Sequence, residues 1–203
     1  MRAFVAVAVP PEVTEILAAL ERPSFDHLRW TTPEQWHVTL RFLGEIPDLD
    51  PVRNALASVP EALARASLSP AHRAPGSHGA PGSPGAPGED DGLEVEGIEA
   101  ILGPVTAWFP GRRVLHVSVG GLSALAKAVA DALEPVSDGD GRERPFVGHL
   151  TLARVRGERP GPGRLAGIPV HASWLVTHVA LVESTLGPGG ARYETRAVVA
   201  LAG

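Results

Sequence analysis

The chain has 203 residues, no cysteine and a formal net charge of −5. That length can bury a proper core in one large domain or two small lobes. The absence of cysteine excludes a disulfide framework, zinc–thiolate sites and iron–sulfur clusters. The negative balance argues against an extended non-specific nucleic-acid surface, though not against a local phosphate site.

In chain order, Arg2–Val9 is a short apolar run that stops at Pro10-Pro11. It reads as a buried first strand rather than a signal peptide, because no long apolar region and small-residue cleavage site follow. Pro11 and Glu12 open a helix with Ile16, Leu17 and Leu20 as its apolar stripe. Residues 28–35 read as a loop or short strand, and 35–45 as a strand. A second helix is expected over 48–66, with Asp50 as N-cap, Pro51 at the first helical position and a break near Pro60.

The texture then changes. Residues 69–92 hold five Pro and six Gly and no Val, Ile, Leu or aromatic residue. Such a segment cannot bury a core and is expected to be a disordered insertion. Strands follow over 93–102 and 112–121, a helix over 122–136, a turn over 138–145 and a strand over 146–155. Residues 173–185 and 191–202 read as two more strands joined by a turn-rich link at 186–190. Helices with hairpin-linked strands indicate an α+β fold with antiparallel sheets; by itself the insertion could separate two domains or be a long loop within a single domain spanning 1–203. No apolar stretch approaches the ~20 residues of a membrane span. The expected location is the cytoplasm, and the expected state a monomer.

Two of these strands carry chemistry. His37-Val38-Thr39-Leu40 recurs as His149-Leu150-Thr151-Leu152, one copy in each half of the chain. Side chains alternate along a strand, so Trp36, Val38, Leu40 and Phe42 share one face, read as core, while His37, Thr39 and Arg41 share the other. The looser pattern also occurs at His116-Val117-Ser118-Val119 and His171-Ala172-Ser173-Trp174, which are read as decoys. His27, His72, His78 and His178 are read as solvated or structural. Strict alternation also sets a puzzle, since it puts Arg41 on the His37 face but Arg154 on the face opposite His149.

Two histidines facing one cleft can perform paired general acid–base catalysis, one neutral and taking a proton, the other protonated and giving one. Each threonine hydroxyl can donate to a phosphoryl oxygen and hold developing charge. No metal or cofactor is called for. The only acidic cluster, Glu89-Asp90-Asp91, lies in the insertion. The near-symmetry of the motifs leaves open which histidine is the acid.

These motifs, with the stretches 1–10, 29–45, 144–155 and 182–194, resemble the 2H phosphoesterases. The nearest branch is that of the RNA 2′,3′-cyclic phosphodiesterases, also called LigT or 2′-5′ RNA ligase proteins. The resemblance implies a bilobal α+β fold, two pseudo-symmetric antiparallel sheets with outer helices around a central cleft. It implies metal-independent hydrolysis of a 2′,3′-cyclic phosphate to a 2′-phosphomonoester on RNA ends or small cyclic nucleotides. His37 would be the proton donor and His149 the proton acceptor, with Thr39 and Thr151 beside them and Arg41, Arg154 and Tyr193 on the substrate side. The alternatives are 2′-5′ RNA ligation, the reverse reaction, and a non-catalytic module that binds RNA ends or nucleotides. Two departures stand out. Gly148 replaces a proline usual in the family, which is expected to loosen the backbone before His149. His116 replaces a common aromatic, which would bring a third histidine near the cleft.

Overall fold

The computed structural model describes residues 1–67, 97–136, 145–187 and 190–201. The expected insertion at 69–92 and nearly all of the expected turn at 138–145 lie outside the described residues.

Among the described residues, nine strands form one antiparallel sheet: β1 (Arg2–Ala8), β2 (Leu28–Trp30), β3 (His37–Glu45), β4 (Glu99–Trp108), β5 (Val114–Gly120), β6 (His149–Val155), β7 (Ala172–Leu175), β8 (His178–Gly187) and β9 (Gly190–Ala200). The order is β7-β4-β5-β6-β3-β1-β8-β9, with β2 paired to β6. The two expected halves are therefore β3-β1-β8-β9 and β6-β5-β4-β7. Each is built outward from a motif strand, and both belong to one continuous sheet.

The two motif strands β3 and β6 pair through a single residue pair, Val38 with Leu150. Beyond it β3 leaves β6, and β2 takes over the β6 edge, pairing Leu28–Trp30 with Ala153–Val155. Thr31 seals the fork. Its N–H donates to the Leu152 carbonyl (2.9 Å), and its hydroxyl lies 2.9 Å from the carbonyls of both Thr151 and Leu152. The same hydroxyl accepts from the Trp36 indole N–H at 3.0 Å.

Four helices cover one face: α1 (Pro11–Ala18), α2 (Asp50–Leu56), α3 (Val59–Ser67) and α4 (Ser123–Leu133). Val5, Val7, Val38, Leu40, Val117, Leu150 and Leu152 point to that side and form one core with Leu17, Leu56, Leu125 and Val129 of the helices. The helices cross over between the halves. α1 follows β1 yet packs beside β7, and α4 follows β5 yet packs beside β3. The opposite face carries a smaller cluster of Phe4, Ala6, Ala180 and Val182, with Tyr193 against it.

Three sequence expectations change. Asp50 is the first residue of α2 rather than its cap; Asp48 accepts from the Asp50 N–H at 3.0 Å instead. The long helix breaks at Ala57-Ser58, so that Pro60 falls in the first turn of α3, where its missing N–H costs nothing. The apolar run 173–185 is two strands. Leu175 ends β7 on the β4 edge, and Val176, buried and donating to the Ile98 carbonyl at 2.7 Å, turns the chain toward β1.

Val38 and Leu150 are both fully buried. Leu150→Ala is expected to destabilise the protein by about 2–5 kcal/mol in urea unfolding, with an unchanged denaturant slope. A loss below ~1 kcal/mol would mean that this junction is not a tightly packed point of the core.

Candidate active site

The one shared pair places the motifs around it. With Val38 and Leu150 facing the core, His37 and Thr39 on β3 and His149 and Thr151 on β6 face the other side. The two imidazoles are held alike. Nδ1 of His37 lies 2.8 Å from the Gln35 carbonyl, and Nδ1 of His149 lies 2.7 Å from the Val147 carbonyl. A carbonyl only accepts, so Nδ1 carries the hydrogen in both rings and Nε2 is left to exchange protons. Neither threonine hydroxyl has a protein partner among the described residues, which leaves both available to a ligand.

The surroundings of the two rings differ. His37 stacks on Phe4 (centroids 4.7 Å apart) and meets the edge of Tyr193 at 5.0 Å. Burial pushes its pKa down to about 4. The hydrogen bond to Gln35 opposes this, and the positive charges of Arg154 and His149 add to it. His149 meets the edges of Phe109 at 4.8 Å and of His116 at 5.8 Å.

His116 stands beside the second motif. It is 6% exposed, pairs with Thr151 across β5–β6 and stacks on Phe109 at 3.9 Å. Its buried Nδ1 has no hydrogen-bond partner. Burial and then the positive charge of His149 lower its pKa against the opposing pull of the Val114 carbonyl, which favours a neutral ring. The expectation of a third histidine near the cleft holds. His171 is exposed, His178 sits at the start of β8 with Thr177 Oγ1 3.1 Å away, and His27 lies against Phe25; none joins the motifs. His72 and His78 lie outside the described residues.

The arginine puzzle resolves through β-bulges at matching places in the two motif strands. On β6, Thr151 pairs with His116 and Ala153 with Leu115, so Leu152 is the extra residue; Leu152 and Ala153 are both buried, and the phase flips. Arg154 returns to the His149 side, close enough to His37 to bear on its protonation. On β3, Thr39 pairs with Ala6 and Arg41 with Val5, a core-face residue. Arg41 is therefore turned away from the His37 face, and the expectation of a substrate-side Arg41 is corrected. Phe42 takes the site face in its place, opposite Phe4 and with the Arg2 guanidinium 5.0 Å above its ring.

Tyr193 lies where expected, against His37. Arg29 was not anticipated. It pairs with Arg154 across β2–β6, and its guanidinium lies where a Cβ on Gly190 would fall, so the start of β9 reaches the opposite half. Within the first half, Gln35, just before β3, donates to the Ala191 carbonyl of β9 at 2.6 Å.

Gly148 does not loosen the backbone. The Val119 N–H donates to its carbonyl at 2.9 Å, and a Cβ there would fall 2.1 Å from the Val119 carbonyl oxygen. Close approach of β5 excludes a side chain, so the glycine seats His149 against its neighbour strand. Among the described residues no group of three His, Asp or Glu could hold a metal ion, and no helix is long and apolar enough to cross a membrane.

The chain is similar to known proteins in sequence and in fold. Residues 5–76 match the model of the LigT-like phosphoesterase family. That match covers about a third of the chain and includes the first motif, His37 to Thr39. It is 28% identical over 165 residues to an RNA 2′,3′-cyclic phosphodiesterase of Archaeoglobus fulgidus, covering 79% of this chain and 76% of that protein. It is 27% identical over 205 residues to an RNA 2′,3′-cyclic phosphodiesterase of Thermus thermophilus, covering 95% and 86%. A crystal structure of a Thermus thermophilus protein superposes with a TM-score of 0.70 at 27% identity over 100% of this chain and 99% of that one. Escherichia coli LigT shares the fold, with a TM-score of 0.57 at 21% identity over 100% of this chain and 98% of that one.

In the folded protein His37 takes up its proton only near pH 4, against 6.5 in the unfolded chain. The unfolded state then binds more protons between these values, so His37 removes stability as pH falls from 6.5 toward 4. An anionic phosphate beside the ring acts in the opposite direction. An NMR titration is expected to place the His37 midpoint near 4 in the free protein and distinctly higher with a nucleoside 2′-phosphate bound. An ordinary midpoint in the free protein, or no rise on binding, would contradict this account of the site.

Proposed function

We propose that this phosphoesterase opens terminal 2′,3′-cyclic phosphates of RNA, or of small cyclic nucleotides, to 2′-phosphomonoesters without a metal. The observation that carries the reading is the matched pair of imidazoles. Each has Nδ1 tied to the carbonyl two residues before it, and the two flank one shared strand pair. The two curated relatives are both named for this activity.

The step balances as follows. Neutral His149 takes a proton from water at Nε2 as the water oxygen bonds to phosphorus. The bond from phosphorus to the 3′ oxygen breaks, and His37 gives its Nε2 proton to that oxygen, leaving the phosphate on the 2′ oxygen. Thr39 and Thr151 donate to the non-bridging oxygens, and Arg154 balances the charge that builds on them.

In the free protein His37 is held neutral, the wrong form for a donor. The substrate supplies the correction, because a phosphodiester anion between the motifs favours the imidazolium. The donor is thus charged when the phosphate it serves is in place.

Purified protein with EDTA, given a short RNA ending in a 2′,3′-cyclic phosphate, is expected to release a 2′-phosphate end. His37→Ala and His149→Ala are each expected to lower kcat by about 10²–10⁴-fold. Loss of turnover in EDTA, a 3′-phosphate product, or activity retained by both variants would overturn the reading.

A further inference from the structure

The two halves match residue for residue near the motifs, and where they stop matching there is a cavity. Across β1–β3, Ala6 pairs with Thr39 and Ala8 with His37. Across β5–β6, the same positions are His116 opposite Thr151 and Ser118 opposite His149. In the second half this space is filled by the His116 ring stacked on Phe109. In the first half Ala6, Ala8 and, one strand further, Ala180 leave it open. The result is a cavity of about 150 Å³ with the His37 ring as one wall.

Its chemistry is graded. The floor and sides are apolar and aromatic, from Phe4, Val182 and Tyr193. The polar groups among its lining residues include Glu34, an exposed residue of the turn before β3, and Thr195 of β9. A cavity of this size class accepts one benzene-sized ring. A carboxylate only accepts hydrogen bonds and repels phosphate and carbonyl oxygens. The acceptor role is secured at Glu34 by the hydrogen bond from Thr32, the leading influence that holds its carboxyl below the usual range and so ionised near neutrality.

We propose that this cavity is the base subsite, and that it takes the nucleobase of the nucleotide carrying the cyclic phosphate, with a preference for bases that bear an exocyclic amine over uracil. The proposal rests on the phosphodiesterase reading above. The occupant shares the His37 wall with the reacting phosphate, so it belongs to the same nucleoside. A flat ring can lie in the cavity against the edge-to-face pair of Phe4 and Tyr193, whose centroids are 5.2 Å apart, and an amino group at its edge can donate to Glu34. Cytosine offers that donor, whereas uracil, of the same size, puts a carbonyl oxygen there.

The test compares cytidine 2′,3′-cyclic phosphate, uridine 2′,3′-cyclic phosphate and a methyl ribofuranoside 2′,3′-cyclic phosphate that has no base. The parent is expected to favour the cytidine over the uridine substrate by about 10-fold in kcat/KM, and Glu34→Gln to narrow this to within about 3-fold. Ala180→Leu fills the cavity and is expected to lower the ratio of kcat/KM for the cytidine over the base-free substrate by about 10-fold or more. A parent that treats cytidine and uridine alike, a Glu34→Gln variant with the discrimination intact, or a ratio that Ala180→Leu leaves unchanged would overturn the subsite. Glu34 is exposed, so its variant serves even if Ala180→Leu does not fold. A parent inactive on all three substrates would overturn the phosphodiesterase reading itself.

Discussion

The structure turns on one backbone pairing. Val38 and Leu150 are the only residues through which β3 and β6 pair. Both side chains are fully buried, so the pair cannot rotate without opening the core. Because strand neighbours alternate faces, fixing these two residues fixes His37, Thr39, His149 and Thr151 on the other side. A longer shared ladder would flatten the junction. A single pair, with β2 inserted beside it and Thr31 bonded to the carbonyls of Thr151 and Leu152, lets the two half-sheets diverge while their motif strands stay in contact.

On that symmetric frame, chemistry depends on asymmetry. Both rings use the same tautomer, set by the same bond to the carbonyl two residues back. What separates them is their packing. Phe4 and Tyr193 enclose His37 and hold it neutral in the free protein. Phe109 and His116 stand beside His149, and the low basicity of His116 avoids setting a permanent like charge next to it. A ring that resists protonation until an anion arrives is suited to serve as a donor only when substrate is present.

Much of this was legible in the sequence. The repeated His-apolar-Thr-Leu unit and strict alternation placed four motif residues on one face, and the element types were read correctly along most of the chain. Alternation failed where a bulge inserted a residue. Leu152-Ala153, two consecutive buried residues in a strand, carry a faint signal of the flip that returns Arg154 to the site. The matching bulge on β3 falls at Leu40-Arg41, where the polar second residue hides it, so Arg41 and Phe42 were each placed on the wrong face. His116 shares the looser motif pattern and could not be told from His171, because what distinguishes them is which strand each pairs with. Arg29 and the contact of β9 with the opposite half depend on long-range closure that local periodicity does not report.

The central claim is that both motifs act on one phosphate across the Val38–Leu150 junction. The most direct measurement is a crystal structure with cytidine 2′-phosphate, the expected product, bound. The account predicts a single phosphate with oxygens at about 2.6–3.2 Å from Nε2 of both His37 and His149, and within reach of the Thr39 and Thr151 hydroxyls. A phosphate held by one motif alone, or bound away from the junction, would contradict it.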